Sequence, residues 1–566
     1  MKNPKQPITN DKPWWPLAVG LAIAALALIE IYRPALYGPF LFDDLYLPFL
    51  VPNFATRPLQ DWVVGVRPTL QVSYWLNYRM FGQDAFYYHL MNLGLHAAAA
   101  YFVWLIAKKL IGFVTENGQW FAAFATAVFV LHPLQTESVG YVASRSEILS
   151  GLFFLIGWAV FLYRAESAIR FPEVALILVF FGLAITSKEH TAVLPAVLLL
   201  TDYFFNPGFT VQGIRANWRL YAPILAGAAL GVFAVFKFVL GSARTAGFGM
   251  KDLTALDYLY TQFRSIVTYL RLFVLPLGQN IDHDAVISRS LADELSWLCL
   301  LILLGLTALA WKKRLEYPLA AFGFFLFLVL LAPTSSFVPI RDVLVERRMY
   351  MPVFALALCV VDVLRRQRGP QFVIMAAICV VLAAMTWNRN HVWASGVELW
   401  KDSVSGSPKK YRPRFQLAYA YYQNGQCAEA TAQFNEAAKL EKPNYDLFVD
   451  WALAADCANR SAEALTHLEE AVKIEQRAHA YALMGMVHGK QSNFDRALEV
   501  LAQAEKLDPR FSITFVYKGN VHMARKEWDL AVEAYKKAVE IEPDEAMGRK
   551  GLQQALAAQR KASIPR

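Results

Sequence analysis

The sequence predicts an all-α chain in two parts: a polytopic membrane helix bundle, then a soluble array of helical repeats. Three observations predict this. The 566 residues are 56% hydrophobic and 14% aromatic, and the apolar residues gather in runs of about 20, long enough to cross a bilayer. After Trp387 the composition turns polar and helical. Beyond residue 411, small residues recur at a near-constant step: Ala430, Ala464, Ala497 and Ala531.

The first part is read from its apolar runs. Spans are predicted over 14–32, 87–107, 120–137, 147–163, 173–187, 190–205, 219–240, 291–311, 317–334, 350–364 and 371–387. That makes about eleven crossings. The N-terminus carries Lys2, Lys5 and Lys12 before the first run. No small-residue cleavage site follows, so that run is expected to be a retained span and not a signal peptide. Basic residues sit at span ends: Lys108 and Lys109, Arg164, Lys312 to Arg314, and Arg365, Arg366 and Arg368. Such clusters mark the cytoplasmic side. They also account for the net charge of +9 without nucleic acid as a partner. The assignments agree with one another when 255–277 makes no single crossing. Arg264 and Arg271 lie seven residues apart there, on one helical face, as in an interfacial or re-entrant amphipathic helix. The C-terminal part is then expected outside the cytoplasm.

The second part is read from its period. The alanines step by 34, 33 and 34 residues; Gly485 and Gly519, Ala504 and Ala538, and Pro509 and Pro543 are each 34 apart. This is the tetratricopeptide period. Small residues allow two helices to pack closely, and proline ends the second helix of each pair. The predicted organisation is a membrane domain over 1–390, a linker over 391–410, and a repeat domain over 411–566 with about four repeats and a capping helix. In repeat register, Cys427 opens one helix and Cys457 closes its antiparallel neighbour, so an extracytoplasmic domain could join them as a disulfide. Cys299, Cys359 and Cys379 fall in spans and read as core residues.

Three polar groups carry candidate chemistry. Asp43 and Asp44 follow the first span; adjacent carboxylates beside an apolar surface can differ in proton affinity, as acid–base chemistry requires. A second group holds His132, Glu137, Arg145 and Glu147 in a turn between apolar helices, with Lys188, Glu189 and His190 in the next one. Charges in such places are costly and mark function unless they pair with each other. The third holds Arg341, Glu346, Arg347, Arg348 and Tyr350. Arginines at an outer membrane edge run against the positive-inside trend and suit an anion, because the guanidinium fork matches phosphate. A lipid head group would satisfy them as well. Together, an acidic pair, a cationic cluster and long apolar helices suit transfer from a lipid-phosphate-linked donor. A carboxylate takes the acceptor's proton, and cations stabilise the leaving phosphate.

The order of motifs is distinctive: Asp43-Asp44, then RPTLQVSYWLNYRMFGQDAFYYHLMNLGLH, HPLQTESVGYVASRSEILSGLFF, SKEHTAVLPAVLLLTDY, VERRMYMPVF and NRNHVWASGVELWKDSV before the repeats. From about Phe42 to Pro543 the chain resembles the transmembrane and tetratricopeptide-repeat protein O-mannosyltransferases and their bacterial relatives. The resemblance implies a GT-C glycosyltransferase fold and a polyprenyl-phosphate sugar donor. It implies inversion at the anomeric carbon, and Ser/Thr of secreted or surface proteins as acceptors. It places the catalytic base at Asp43 or Asp44, with Asp43 favoured. It maps the motif arginine to Arg347, with Glu346 and Tyr350 as companions and a donor-phosphate contact there. Arg341, Arg348 and Lys188 join it as candidate donor contacts. The short repeat array fits a bacterial homologue in the inner membrane with periplasmic repeats and an undecaprenyl-phosphate sugar. In a eukaryote the repeats would be lumenal in the endoplasmic reticulum.

No metal-ligand spacing is evident, so a reaction without metal or cofactor is expected, with membrane lipids and an acceptor protein held by the repeats as partners. Two other readings stay open. One is a transferase that decorates a lipid-linked glycan. The other is a non-enzymatic membrane-anchored scaffold.

Overall fold

The structure is a computed structural model, described over residues 15–51, 54–116, 118–166, 168–234, 247–250 and 252–563. Lys2, Lys5 and Lys12, the first residue of span 14–32 and the last six residues of span 219–240 lie outside these residues. Among the described residues the secondary structure is helical throughout, with no strand. The chain divides into two compact units, Met1–Asp402 and Ser403–Arg566.

Among the described residues of the first unit, four helices are long and apolar enough to cross a membrane: Ala85–Gly112, Val142–Leu162, Asp293–Lys313 and Gln371–Val392. Four other apolar helices are shorter: Gln119–Leu131, Phe171–Ile185, Pro318–Leu331 and Pro352–Leu364. This is the helix set of a membrane protein, with fewer full-length spans than the hydropathy runs predict. The reason is local. The run 120–137 ends its helix at Leu131, because His132 is extended and Pro133 opens a 3-10 turn. The run 190–205 starts with a 3-10 turn, and its helix is only Leu194–Phe205. Runs 317–334 and 350–364 start their helices at Pro318 and Pro352, where the ring fixes φ and its missing N–H leaves no bond unmade.

The core is apolar side chains packed between these helices. Trp158 lies at its centre, fully buried, with its ring centroid 6.2 Å from Phe322 and 6.1 Å from Phe354. Its indole N–H donates to Thr201 Oγ1 at 3.1 Å, which satisfies a polar group that would otherwise cost stability in such a core.

Segment 255–277 forms one helix, Ala255–Val274, begun by a Thr254–Asp257 capping box. Its polar side faces the protein. Thr261, Gln262 and Ser265 are buried, and Gln262 Nε2 donates to the Val343 carbonyl at 2.9 Å. Leu256 and Val274 are exposed. Arg264 donates to the Val286 carbonyl and Arg271 to the Leu277 carbonyl, each at 2.8 Å. The predicted linker 391–410 is instead mostly helical: the Gln371–Val392 helix runs into it, and Gly396–Gly406 forms a helix of its own. Trp393, Val397, Leu399 and Trp400 are buried; these large apolar side chains explain why the stretch folds.

In the second unit, four antiparallel helix pairs follow: Tyr411–Gln423 with Cys427–Leu440, Tyr445–Cys457 with Ser461–Ile474, Ala478–Lys490 with Phe494–Leu507, and Ser512–Ala524 with Trp528–Ile541. A last helix, Ala546–Ala562, covers the end. The periodic alanines are fully buried. A Cβ at Gly485 would lie 2.4 Å from the Leu501 side chain, and one at Gly519 2.7 Å from the Tyr535 ring. The period thus records where two helices touch. Pro509 and Pro543 stand just beyond the helices ending at Leu507 and Ile541.

Cys427 and Cys457 form a disulfide with Cα atoms 5.7 Å apart, and Cys299, Cys359 and Cys379 are free thiols. The bridge closes a sequence separation of 30 residues, a loop whose cross-linking contributes about 3–4 kcal/mol through the unfolded state. Reduction is therefore expected to lower the melting temperature of the full chain's repeat unit. A Cys427→Ala/Cys457→Ala variant should melt at the lower temperature with or without reductant.

Candidate functional site

The acidic pair sits on a 3-10 turn, Phe42–Tyr46, entered through Phe42 at φ 53°, a strained value for a bulky residue. The two carboxyls have different settings. Asp44 is 1% exposed. Its Oδ2 accepts the Leu41 N–H at 3.1 Å and its Oδ1 the Ala143 N–H at 2.6 Å. Asp43 is exposed, and its N–H donates to the Tyr141 hydroxyl at 3.0 Å. One carboxyl anchors the turn; the other faces out.

The Asp44 carboxyl is pushed up to about 7: burial raises it most, bonds from the Leu41, Ala143 and Val142 backbone pull it down, and the Asp43 charge adds to the rise. The folded chain therefore keeps a proton on Asp44 that an unfolded chain, titrating near 3.9, has released. Stability from this group is complete below about pH 4 and is lost as pH rises through about 7. The melting temperature of the wild type is expected to fall from pH 5 to pH 8 more steeply than that of Asp44→Asn. Parallel slopes would refute this.

The second and third predicted groups interlock. Arg347 makes a two-point contact with Glu137: its backbone N–H donates at 2.9 Å and its guanidinium at 2.6 Å. Glu137 is almost fully buried and Arg347 is half-buried. Lys188 Nζ contacts Glu147 at 2.5 Å, with His190 Nε2 on the other oxygen at 3.5 Å. Glu189 takes a bidentate contact from Arg67 at 2.8 and 2.9 Å. Glu346 accepts from Gln279 Nε2 at 2.8 Å, the Asn280 N–H at 2.6 Å and His283 Nε2 at 2.8 Å. These clusters share one electrostatic neighbourhood. The Tyr141 hydroxyl is pushed well above its usual range by burial and by Asp44 and Asp43, against an opposing pull from Arg347. Burial lowers Lys188, Glu147 raises it, and Arg67 and Arg347 lower it further.

Other predicted residues have structural tasks. Arg145 is fully buried. Its guanidinium donates to Asn92 Oδ1 at 2.7 Å, Asn77 Oδ1 at 2.8 Å and the Tyr88 carbonyl at 3.1 Å, between the Tyr74 and Tyr88 rings. His132 accepts the Leu134 N–H through Nδ1 and faces the Phe273 carbonyl through Nε2 at 3.0 Å, the pattern of a neutral ring. Tyr350 is buried with its hydroxyl 3.1 Å from His96 Nδ1. Arg341 is exposed.

Arg348 differs from its neighbour. It donates to the Asp342 carbonyl at 2.7 Å and to the Val343 carbonyl and Tyr258 hydroxyl at 3.3 Å, and forms no ion pair with a carboxylate among the described residues. It lines a cleft with Glu147, His190, Thr191, Thr334 and Met351. His190 Nδ1 is buried there without a hydrogen-bond partner. Pro352 opens a helix at this cleft, and a helix N-terminus favours anions. Among the described residues no three His, Cys, Asp or Glu side chains gather as a metal site.

Sequence reasoning singled out neither Tyr141, Arg67, Asn77 and Asn92 nor Gln279 and His283. Arg67, Asn77, Asn92 and Tyr141 stand within the motifs quoted above, so order along the chain held the signal. Gln279 and His283 lie outside those motifs.

A family model described as "Tetratricopeptide repeat" matches residues 482–546. The chain is similar to a protein O-mannosyl-transferase of Caenorhabditis elegans, 21% identical over 449 residues, 75% of this chain and 63% of that protein. It is also similar to the protein O-mannosyl-transferase TMTC3 of Homo sapiens, 21% identical over 550 residues, 85% of this chain and 58% of that protein. The chain thus spans about six-tenths of the length of these curated relatives. Among solved structures, YrrB, a TPR protein, aligns at 19% identity and TM-score 0.25, covering 34% of this chain and 92% of that one.

Proposed function

We propose that the protein is an inverting GT-C glycosyltransferase that moves a sugar, mannose or another hexose, from a polyprenyl-phosphate donor to Ser/Thr hydroxyls of an acceptor protein. Transfer occurs on the non-cytoplasmic side, the periplasm in a bacterium, with about eleven spans in the bundle and the acceptor polypeptide bound by the repeats. The observation that carries the reading is an outward-facing carboxylate, Asp43, held against Tyr141, whose hydroxyl also feels the Arg347 charge. The relatives' printed name, protein O-mannosyl-transferase, supports it.

The chemistry follows from the side chains. The acceptor oxygen attacks the anomeric carbon as Asp43 takes the hydroxyl proton. The bond from that carbon to the phosphate oxygen breaks, and the electron pair leaves with the lipid phosphate. Arg347 is committed to Glu137, so the phosphate falls to Arg348, whose cleft also holds His190 and the apolar side chains of Phe154, Leu330 and Met351. Preorganised charge of this kind stabilises a leaving anion without reorganisation.

Intact-mass comparison of surface proteins from cells with and without the gene tests this. A hexose-sized increment that is present with the wild type and absent with Asp43→Asn supports it. Identical masses would overturn it. Arg348→Lys, which keeps the charge and loses the guanidinium fork, should raise the donor KM.

A further inference from the structure

The acidic turn is held by more than its hydrogen bonds. Tyr141, whose hydroxyl takes the Asp43 N–H, is stacked between two rings: Phe42 at 6.3 Å and 22°, and Trp393 at 5.9 Å and 28°. Trp400 meets Phe42 edge-on at 5.4 Å. The four rings form a row, Trp400, Phe42, Tyr141, Trp393, and three of them come from segments far apart in sequence. Trp393 and Trp400 are 1% and 2% exposed. Their positions are fixed from behind. A Cβ at Gly38 would stand 2.6 Å from the Trp393 carbonyl oxygen, so the two backbones touch. Asn390 Nδ2 donates to the Ile31 carbonyl at 2.9 Å, and Arg389 pairs with Asp402 at 2.6 Å.

Nothing in ordinary packing requires this much structure around an exposed aspartate. Phe42 holds a positive φ that costs on the order of 1–3 kcal/mol unless its surroundings impose it, and the aromatic row is what surrounds it. We infer that Trp393 and Trp400 are positioning residues for Asp43, acting through Tyr141 and Phe42 to hold the carboxylate at one orientation. This rests on the glycosyl-transfer reading for its catalytic consequence only; the positioning itself is a property of the fold.

The test uses the full chain in lipid nanodiscs with two independent readouts. The first is hydrogen exchange at the Asp43 amide, which needs no activity. Trp400→Ala and Trp393→Ala should speed it by about tenfold or more, because local opening sets exchange. Trp400→Phe should stay near wild type, and Tyr141→Phe should lose protection by deleting the acceptor alone. The second readout is steady-state transfer. A misplaced reacting group costs up to about a hundredfold, so Trp400→Ala should lower kcat by tenfold to about a hundredfold with KM within about twofold, and Trp400→Phe should rescue it. Gly38→Ala should copy the Trp393→Ala effect by displacing the Trp393 backbone. Unchanged Asp43 exchange in both alanine variants would overturn the inference. Faster exchange in the alanine variants, with a wild type that transfers no sugar, would instead leave the positioning intact and remove the functional reading.

Discussion

Asp43→Asn is expected to lower sugar transfer by about a hundredfold to ten-thousandfold, the contribution of a positioned general base, with no loss of folding. Both halves of the expectation come from one local arrangement. The Asp43 side chain is exposed, so an amide in its place buries no new polar group. The contact that holds the residue, its backbone N–H to the Tyr141 hydroxyl, survives the change. Only the proton acceptor is lost. The donor KM should stay within about twofold, because the interaction removed belongs to the transition state. Asp44→Asn is the matched control. Its carboxyl accepts two backbone N–H groups on two different oxygens, and an amide can replace only one of those acceptors. That variant should melt at lower temperature at pH 5. Single-turnover transfer paired with a thermal melt separates the two: an Asp43→Asn protein with full activity would remove Asp43 from the chemistry.

Arg347→Ala is expected to destabilise the protein by up to about 3–5 kcal/mol, the cost of stranding the buried carboxylate of an ion pair. Glu137 would keep its carboxylate in a nearly water-free setting with Glu346 adding like charge. The double variant Arg347→Ala/Glu137→Gln should recover most of that loss, since it removes the stranded charge as well. Recovery in a melting experiment, with transfer also returning, marks Arg347 as a structural partner. A variant Arg347→Ala that melts like wild type yet fails to bind donor would restore the sequence-based assignment and move the phosphate from Arg348 to Arg347. The difference between two adjacent arginines is the point: Arg347 has a carboxylate at 2.6 Å, whereas Arg348 is held by carbonyls and a hydroxyl.

Much of the architecture was legible in the residues. The repeat helices could be placed from the 34-residue step, because alanine and glycine recur where helices must touch and proline where each pair ends. That signal is local and periodic, so it survives without a fold. The membrane helices were legible as apolar runs but not as lengths. Hydropathy reports composition, and it continues through His132 and Pro133 and from His190 to Val193, where the backbone leaves the α-helix.

The sequence by itself determined an all-helical chain, its two-part plan and the residue types available for chemistry. Only the tertiary structure decided which charges are partners and which are left for a substrate. Glu137 meets Arg347 across 210 positions, and Glu189 meets Arg67 across 122. Pairing is set by distance, and Coulomb energy at a few ångströms in a dry setting outweighs any signal carried by neighbours in sequence. The same holds for Tyr141, an unremarked aromatic in a polar turn until the fold placed Asp43 against its hydroxyl and Trp393 against its ring.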